Sequence, residues 1–198
     1  MIDSGVGAHY PAVIALENVP SAPRTPAEQA RLSRMVRDDY QPIWRVLRRL
    51  GLSPEQAEDG AQQVFLIVAE RLADIRAGSE RSFAYGTALR VAQGMRRRGA
   101  RETLSPDEPL APCALPQPDE LSDQRRALAR VDRILSAMPL ELRSVFVLFE
   151  LSGFTSPEIA EISGLALGTV ASRLRRARES FRELLAAEGA EAPQGGTP

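Results

Sequence analysis

From Ala27 onward, apolar residues recur at helical spacing. Leu32, Met35 and Val36 begin a stripe that Ile43, Trp44, Val46, Leu47 and Leu50 continue beyond Pro42, and Gly51 ends it. Ser53-Pro54-Glu55-Gln56 reads as a cap, a proline at the first helical position and an early acid, the grammar of a helix start. The helix that follows carries Ala57, Ala61, Val64, Phe65, Val68 and Leu72 on one stripe, with Glu58, Asp59, Gln62 and Gln63 beside it on the exposed side. Gly78-Ser79 marks a loop. A third helix is predicted from roughly Arg81 to Arg98, carrying Phe83, Tyr85, Leu89 and Val91 and ending in Arg96-Arg97-Arg98-Gly99-Ala100-Arg101. The pattern then stops. Between Glu102 and Asp123 five prolines interrupt any regular element and every charge is acidic, which predicts an extended linker between independently moving modules. Periodicity returns from Ser122 to Met138, with Leu128, Val131, Ile134 and Leu135 inward, and again from Leu140 to Leu151 after Pro139. The expected fold is all-α: helical domains at 27–101 and 122–187, a linker at 102–121, and loose tails at 1–26 and 188–198.

The stretch after Leu151 supplies the first chemistry. Thr155 or Ser156 can cap a short helix, Pro157 suits its first turn and Glu158 favours its positive end. Ile159 and Ile162 give it an apolar face, and Ala160 is small enough for a close crossing. Gly164 stands where a turn leaving a helix often needs a left-handed residue. A second helix starts near Gly168-Thr169, with Val170 and Leu174 on its buried side and Ser172, Arg173, Arg175, Arg176 and Arg178 around the others. This is the pattern of a helix-turn-helix whose second helix enters the major groove. The alternative is a plain helical hairpin with a solvated arginine face.

Composition narrows the setting. The 198 residues carry a formal net charge of −1, so any nucleic-acid surface is local and offset by acidic surface elsewhere. All 25 basic residues are arginine, which reads as coding bias more than chemistry. Cys113 is the single cysteine, so no internal disulfide is expected, and it reads as an incidental exposed thiol more readily than a redox switch. His9 is the single histidine and lies in the N-terminal tail. No transmembrane run or signal peptide is evident, and a cytoplasmic protein without membrane insertion is expected. Gly-x-Ser-x-Gly, a Gly-Lys-Ser/Thr phosphate loop and a Cys/His cluster are all absent, so neither an enzyme nor a metal or cofactor is expected.

Two stretches resemble the bacterial extracytoplasmic-function (ECF) sigma factors. Asp39-Tyr40-Gln41-Pro42-Ile43-Trp44-Arg45 with Ala57-Glu58-Asp59-Gly60-Ala61-Gln62-Gln63-Val64-Phe65-Leu66 is similar to the family's second conserved region. Met138-Pro139-Leu140-Glu141-Leu142-Arg143-Ser144-Val145-Phe146, with Gly168 to Arg178, is similar to its fourth. The resemblance implies that Asp59, Gln62, Gln63 and Phe65 belong to a helix that grips core RNA polymerase. It implies phosphate contacts from Arg96, Arg97, Arg98 and Arg101 just upstream of melted DNA, with a basic helix cap as the alternative. Tyr85 is open to stacking on an unpaired base or to core packing, and Phe83 reads as core. Thr169, Ala171 and Ser172 would meet base edges of the upstream promoter element, followed by Arg173, Arg175, Arg176 and Arg178 on bases or phosphates. The acidic linker would thread a basic channel, or else serve as a spacer. Phe83, Arg90 and Gly94 stand where the family usually has Trp, Asn and Asp, and Ala69 where Trp is common. The implied function is promoter-specific initiation, with core polymerase and promoter DNA as partners and room for an anti-sigma factor. A stand-alone helix-turn-helix regulator, its first module turned to protein interaction, is the alternative.

Overall fold

The computed structural model describes residues 24–102 and 123–191, and all the regular structure in them is helical. The linker, Cys113 and His9 lie outside the described residues. The first module comprises α1 (Pro26–Arg49), α2 (Pro54–Glu70) and α3 (Glu80–Glu102), each packed on the other two. Helix α1 begins as α2 does, at a capping box: the Glu28 carboxylate accepts the Thr25 backbone N–H at 2.8 Å and its hydroxyl at 2.9 Å. Pro42 sits inside α1 without ending it, and Gly51, at φ 95°, turns the chain out of the helix. The core is Ile43 and Leu47 of α1, Ala57, Ala61, Val64 and Phe65 of α2, and Ala84 and Ala88 of α3. Small residues on α2 permit this close approach, since a Cβ at Gly60 would lie 3.2 Å from Leu47 Cδ1.

The second module comprises α4 (Asp123–Ala137), α5 (Leu140–Phe146), a π-helical turn at Val147–Leu151, α6 (Ser156–Ser163) and α7 (Leu167–Glu191). Arg143, 4% exposed, ties α5 to the end of α4. Its Nη2 donates to the Ser136 and Met138 carbonyls at 2.6 and 2.8 Å, groups left open at a helix C-terminus. Burial, with help from Arg96 nearby, pushes its pKa down to about 10. Helix α7 continues beyond the fraying expected after Ala187, and Glu188 accepts from Arg130 and Arg133 at 3.0 and 3.2 Å.

The expectation of independent modules is not met, because α3 packs against α6 and α1 touches α4. The Tyr85 ring meets Phe154 edge-on at 4.8 Å between centroids. Arg81 lies over both rings and donates from Nη2 to the Ser152 carbonyl at 2.6 Å. Gly86 admits the backbone of α6, since a Cβ there would stand 3.2 Å from the Ile162 carbonyl oxygen. Arg49 and Asp132 close the far side at 3.7 Å. Fully burying one such aromatic ring contributes about 1.5–3 kcal/mol, so the contact outweighs the partly exposed ion pair on the far side. A linker's composition describes the linker alone and says nothing of the faces on either side of it.

Candidate nucleic-acid interface

The helix pair α6–α7 is built as its sequence suggests. Glu158 accepts the Thr155 backbone N–H at 2.7 Å and its hydroxyl at 2.6 Å, and these bonds hold the Glu158 carboxyl below its usual pKa. Gly164 takes the left-handed conformation at φ 69°, ψ 18°, and turns the chain into α7. Val170, Leu174 and Ala177 are buried at helical spacing, and Phe181 stacks on Phe146 at 4.8 Å. This anchoring leaves Ala171, Ser172, Arg175, Arg176 and Arg178 exposed and Thr169 half-buried.

The arginines of α7 do not form one uniform patch. Arg175 and Arg178 line a groove of about 370 Å³ with Phe149, Ser156, Ala171, Leu174 and Arg182. Arg178 donates from Nε to Glu150 at 2.6 Å and lies 5.0 Å from the centre of the Phe149 ring. Arg175 pairs along the helix with Glu179 at 2.8 Å. Arg173 lines instead the cleft between the modules, 3.9 Å from Glu141. Ser172 donates its hydroxyl to the Thr169 carbonyl at 3.0 Å.

The basic end of α3 divides in the same way. Arg96 donates from Nη1 to the Leu50 carbonyl at 3.2 Å and lines the inter-module cleft together with Arg97. Arg98 lines a groove of about 430 Å³ between α2 and α3, with Gln63, Ile67, Arg71, Phe83, Thr87, Arg90 and Gly94. Arg101 falls in the last turn, whose side chains are outside the described residues. Two basic groups in this groove are not among the contacts expected from sequence: Arg71, and Arg90, which stood out only as a departure from the family pattern. The signal existed: Phe83, Thr87, Arg90, Gly94 and Arg98 follow one another at steps of three and four, the stripe of a single helix face.

On α2, Asp59 and Gln63 are exposed and Gln62 is half-buried. Asp59 shares an open surface with Gln41, Trp44, Glu55 and Glu58, where Glu58 also accepts the Tyr40 hydroxyl at 2.6 Å. Two expected contact residues need correction. Phe65 is 0% exposed and stacks on Tyr40 at 5.7 Å, so it shapes the helix from within. Tyr85 is 1% exposed beneath Phe154 and offers no ring face to a base in this arrangement. Among the described residues no group of three or more His, Cys, Asp or Glu could hold a metal ion, and no helix is long and apolar enough to cross a membrane.

Residues 35–102 match the family described as Sigma-70 region 2, and residues 128–181 match Sigma-70 region 4. The ECF RNA polymerase sigma factor SigE of Mycolicibacterium smegmatis is 29% identical over 163 residues, covering 81% of this chain and 63% of that protein. The chain thus spans less than two thirds of that relative's length. The ferric citrate uptake sigma factor FecI of Escherichia coli is 33% identical over 127 residues, covering 62% of this chain and 72% of that one. The sigma factor RpoE from Bartonella quintana, solved with the anti-sigma factor NepR, shares the fold with a TM-score of 0.68 at 22% identity, over 78% of this chain and 96% of that one. CnrH, solved with the cytosolic domain of CnrY, does so with a TM-score of 0.61 at 22% identity, over 89% and 95%. Matched in both signature regions and in the same order, the chain belongs to the sigma-70 family of RNA polymerase sigma factors, in its extracytoplasmic-function group.

Proposed function

We propose that this chain is a promoter-specificity subunit that binds core RNA polymerase in the cytoplasm and directs initiation by binding rather than by catalysis. The observation that carries the reading is the α6–α7 pair: a left-handed glycine turn, an anchored second helix and a groove lined by arginines beside its exposed face. In this reading Asp59, Gln62 and Gln63 present the exposed face of α2 to the polymerase. Arg71, Arg90 and Arg98 line a path for the DNA backbone along the first module. Thr169, Ala171, Ser172 and Arg176 read base edges from α7, while Arg175 and Arg178 take phosphates. The two solved neighbours carry an anti-sigma factor and a cytosolic partner domain, which supports an anti-sigma factor as a further partner here.

Co-purification with core polymerase tests the assignment. Replacing Asp59 and Gln62 together with arginine abolishes co-purification and leaves helical content by circular dichroism unchanged. Full binding by that double variant would remove α2 from the polymerase interface.

A further inference from the structure

We propose that Glu150 and Phe149 are positioning residues that hold Arg178 as a preset clamp for one backbone phosphate of the promoter. The inference rests on the reading of α7 as the DNA-contacting helix and adds to it an element outside the helix-turn-helix.

The π-helical turn at Val147–Leu151 is where the geometry originates. Its wider winding shifts the side chains away from the register of α5, as such turns do where they occur at functional sites. The Phe154 N–H reaches back to the Leu148 carbonyl at 3.0 Å and the Ser152 hydroxyl to the Val147 carbonyl at 3.0 Å, which fastens the turn. Phe149 and Glu150 are thereby brought against α7, Glu150 lying 28 positions before Arg178. The Arg178 guanidinium is held on two sides: its Nε edge donates to Glu150 Oε1 at 2.6 Å, and one face lies over the Phe149 ring at 5.0 Å.

That attachment uses one of the five N–H donors of the guanidinium. Among the described residues, neither Nη group of Arg178 has a protein acceptor, and the side chain borders the groove shared with Ser156, Arg175 and Arg182. A pair of Nη groups is what a phosphate takes up in bidentate fashion. An unrestrained arginine gives up rotamer freedom to make that contact, and one already ordered gives up less.

Two physical effects of Glu150 oppose each other, and their sign decides the case. As a negative charge beside the DNA surface it repels phosphate, so its removal should tighten binding. As the anchor of Arg178 it lowers the entropy lost on binding, so its removal should weaken binding. The positioning role predicts the second outcome.

The test uses holoenzyme assembled from core polymerase and the full chain, with a duplex that the wild-type holoenzyme selects from a randomised pool. Glu150→Ala weakens binding by about two- to tenfold, although it removes an acid from the DNA-facing surface. Glu150→Gln, whose amide oxygen still accepts the Nε–H, binds at least as tightly as wild type. In an Arg178→Ala background Glu150→Ala no longer weakens binding, because only its repulsion of phosphate remains to be lost, and a methylphosphonate at a single phosphate position weakens wild type more than Glu150→Ala. Tighter or unchanged binding by Glu150→Ala would overturn the proposal, as would an equal loss in the Arg178→Ala background. Unchanged binding by Arg178→Ala would overturn it too, since Arg178 would then hold no phosphate, whereas unchanged promoter choice on exchanging Thr169, Ser172 and Arg176 would be the separate failure that removes α7 from the DNA.

Discussion

Successive side chains on a helix point about 100° apart, so a run of arginines in sequence is not a patch in space. Arg96, Arg97 and Arg98 illustrate this, with two lining the inter-module cleft and Arg98 alone reaching the groove beside Arg71 and Arg90. A run places Arg96, Arg97 and Arg98 together, whereas the helical step groups Arg98 with Arg90. Replacement of Arg90 or Arg98 with alanine is therefore expected to weaken promoter binding by the holoenzyme and lower its salt slope by roughly one unit each. On α7, Arg178→Ala is expected to do the same for all sequences alike, while Ser172→Ala shifts which sequence is preferred; binding to a panel of duplexes at several salt concentrations separates the two. Glu158 gives a prediction for pH. Its two bonds to Thr155 hold its carboxyl below the ordinary 4.5, so the cap they form is fully present above that value and is lost as pH falls through the lowered one. Carboxyl chemical shifts followed by NMR should place the Glu158 midpoint below 4.5.

Helix starts were the most legible elements. Ser53-Pro54-Glu55-Gln56 and Thr155-Ser156-Pro157-Glu158 share one grammar and each opens a helix in the structure, while Thr25-Pro26-Ala27-Glu28, which has the same grammar, falls partly in the stretch expected to be a tail. The end of α6 was equally plain, because a glycine four residues after a small apolar position suits a left-handed turn. A Cβ at Gly164 would meet nothing within 4 Å, so the cost of Gly164→Ala is that of the backbone conformation alone. It should lower stability by about 1 kcal/mol in thermal melts, without the larger losses that accompany a clash. The π-helical turn was not legible. Val145 to Phe149 is a continuous apolar run, and such a run carries no sign of an added residue per turn. The far end of α7 was underestimated for a related reason: Ala- and Glu-rich sequence reads as fraying until Arg130 and Arg133 are placed beside Glu188.

At the scale of the whole molecule, the fold class and the order of helices could be read from periodicity, and the docking of the modules could not. Tyr85, Leu89, Phe154 and Ile162 have the spacing of residues that serve their own module's core, and nothing in a stripe says which partner it meets. The interface depends on Gly86, where the α6 backbone comes close. Gly86→Val is expected to force α3 and α6 apart and raise amide hydrogen exchange at residues 81–89 and 152–162, while exchange in α1 and α2 stays as in wild type. If the chain confers promoter choice on the polymerase, transcription from genomic DNA by core polymerase, with start sites mapped, will show it. Discrete start sites are expected that require the chain, vanish with the Asp59→Arg, Gln62→Arg double variant and move to other promoters when the exposed residues of α7 are exchanged. Identical transcripts with and without the chain would contradict that role.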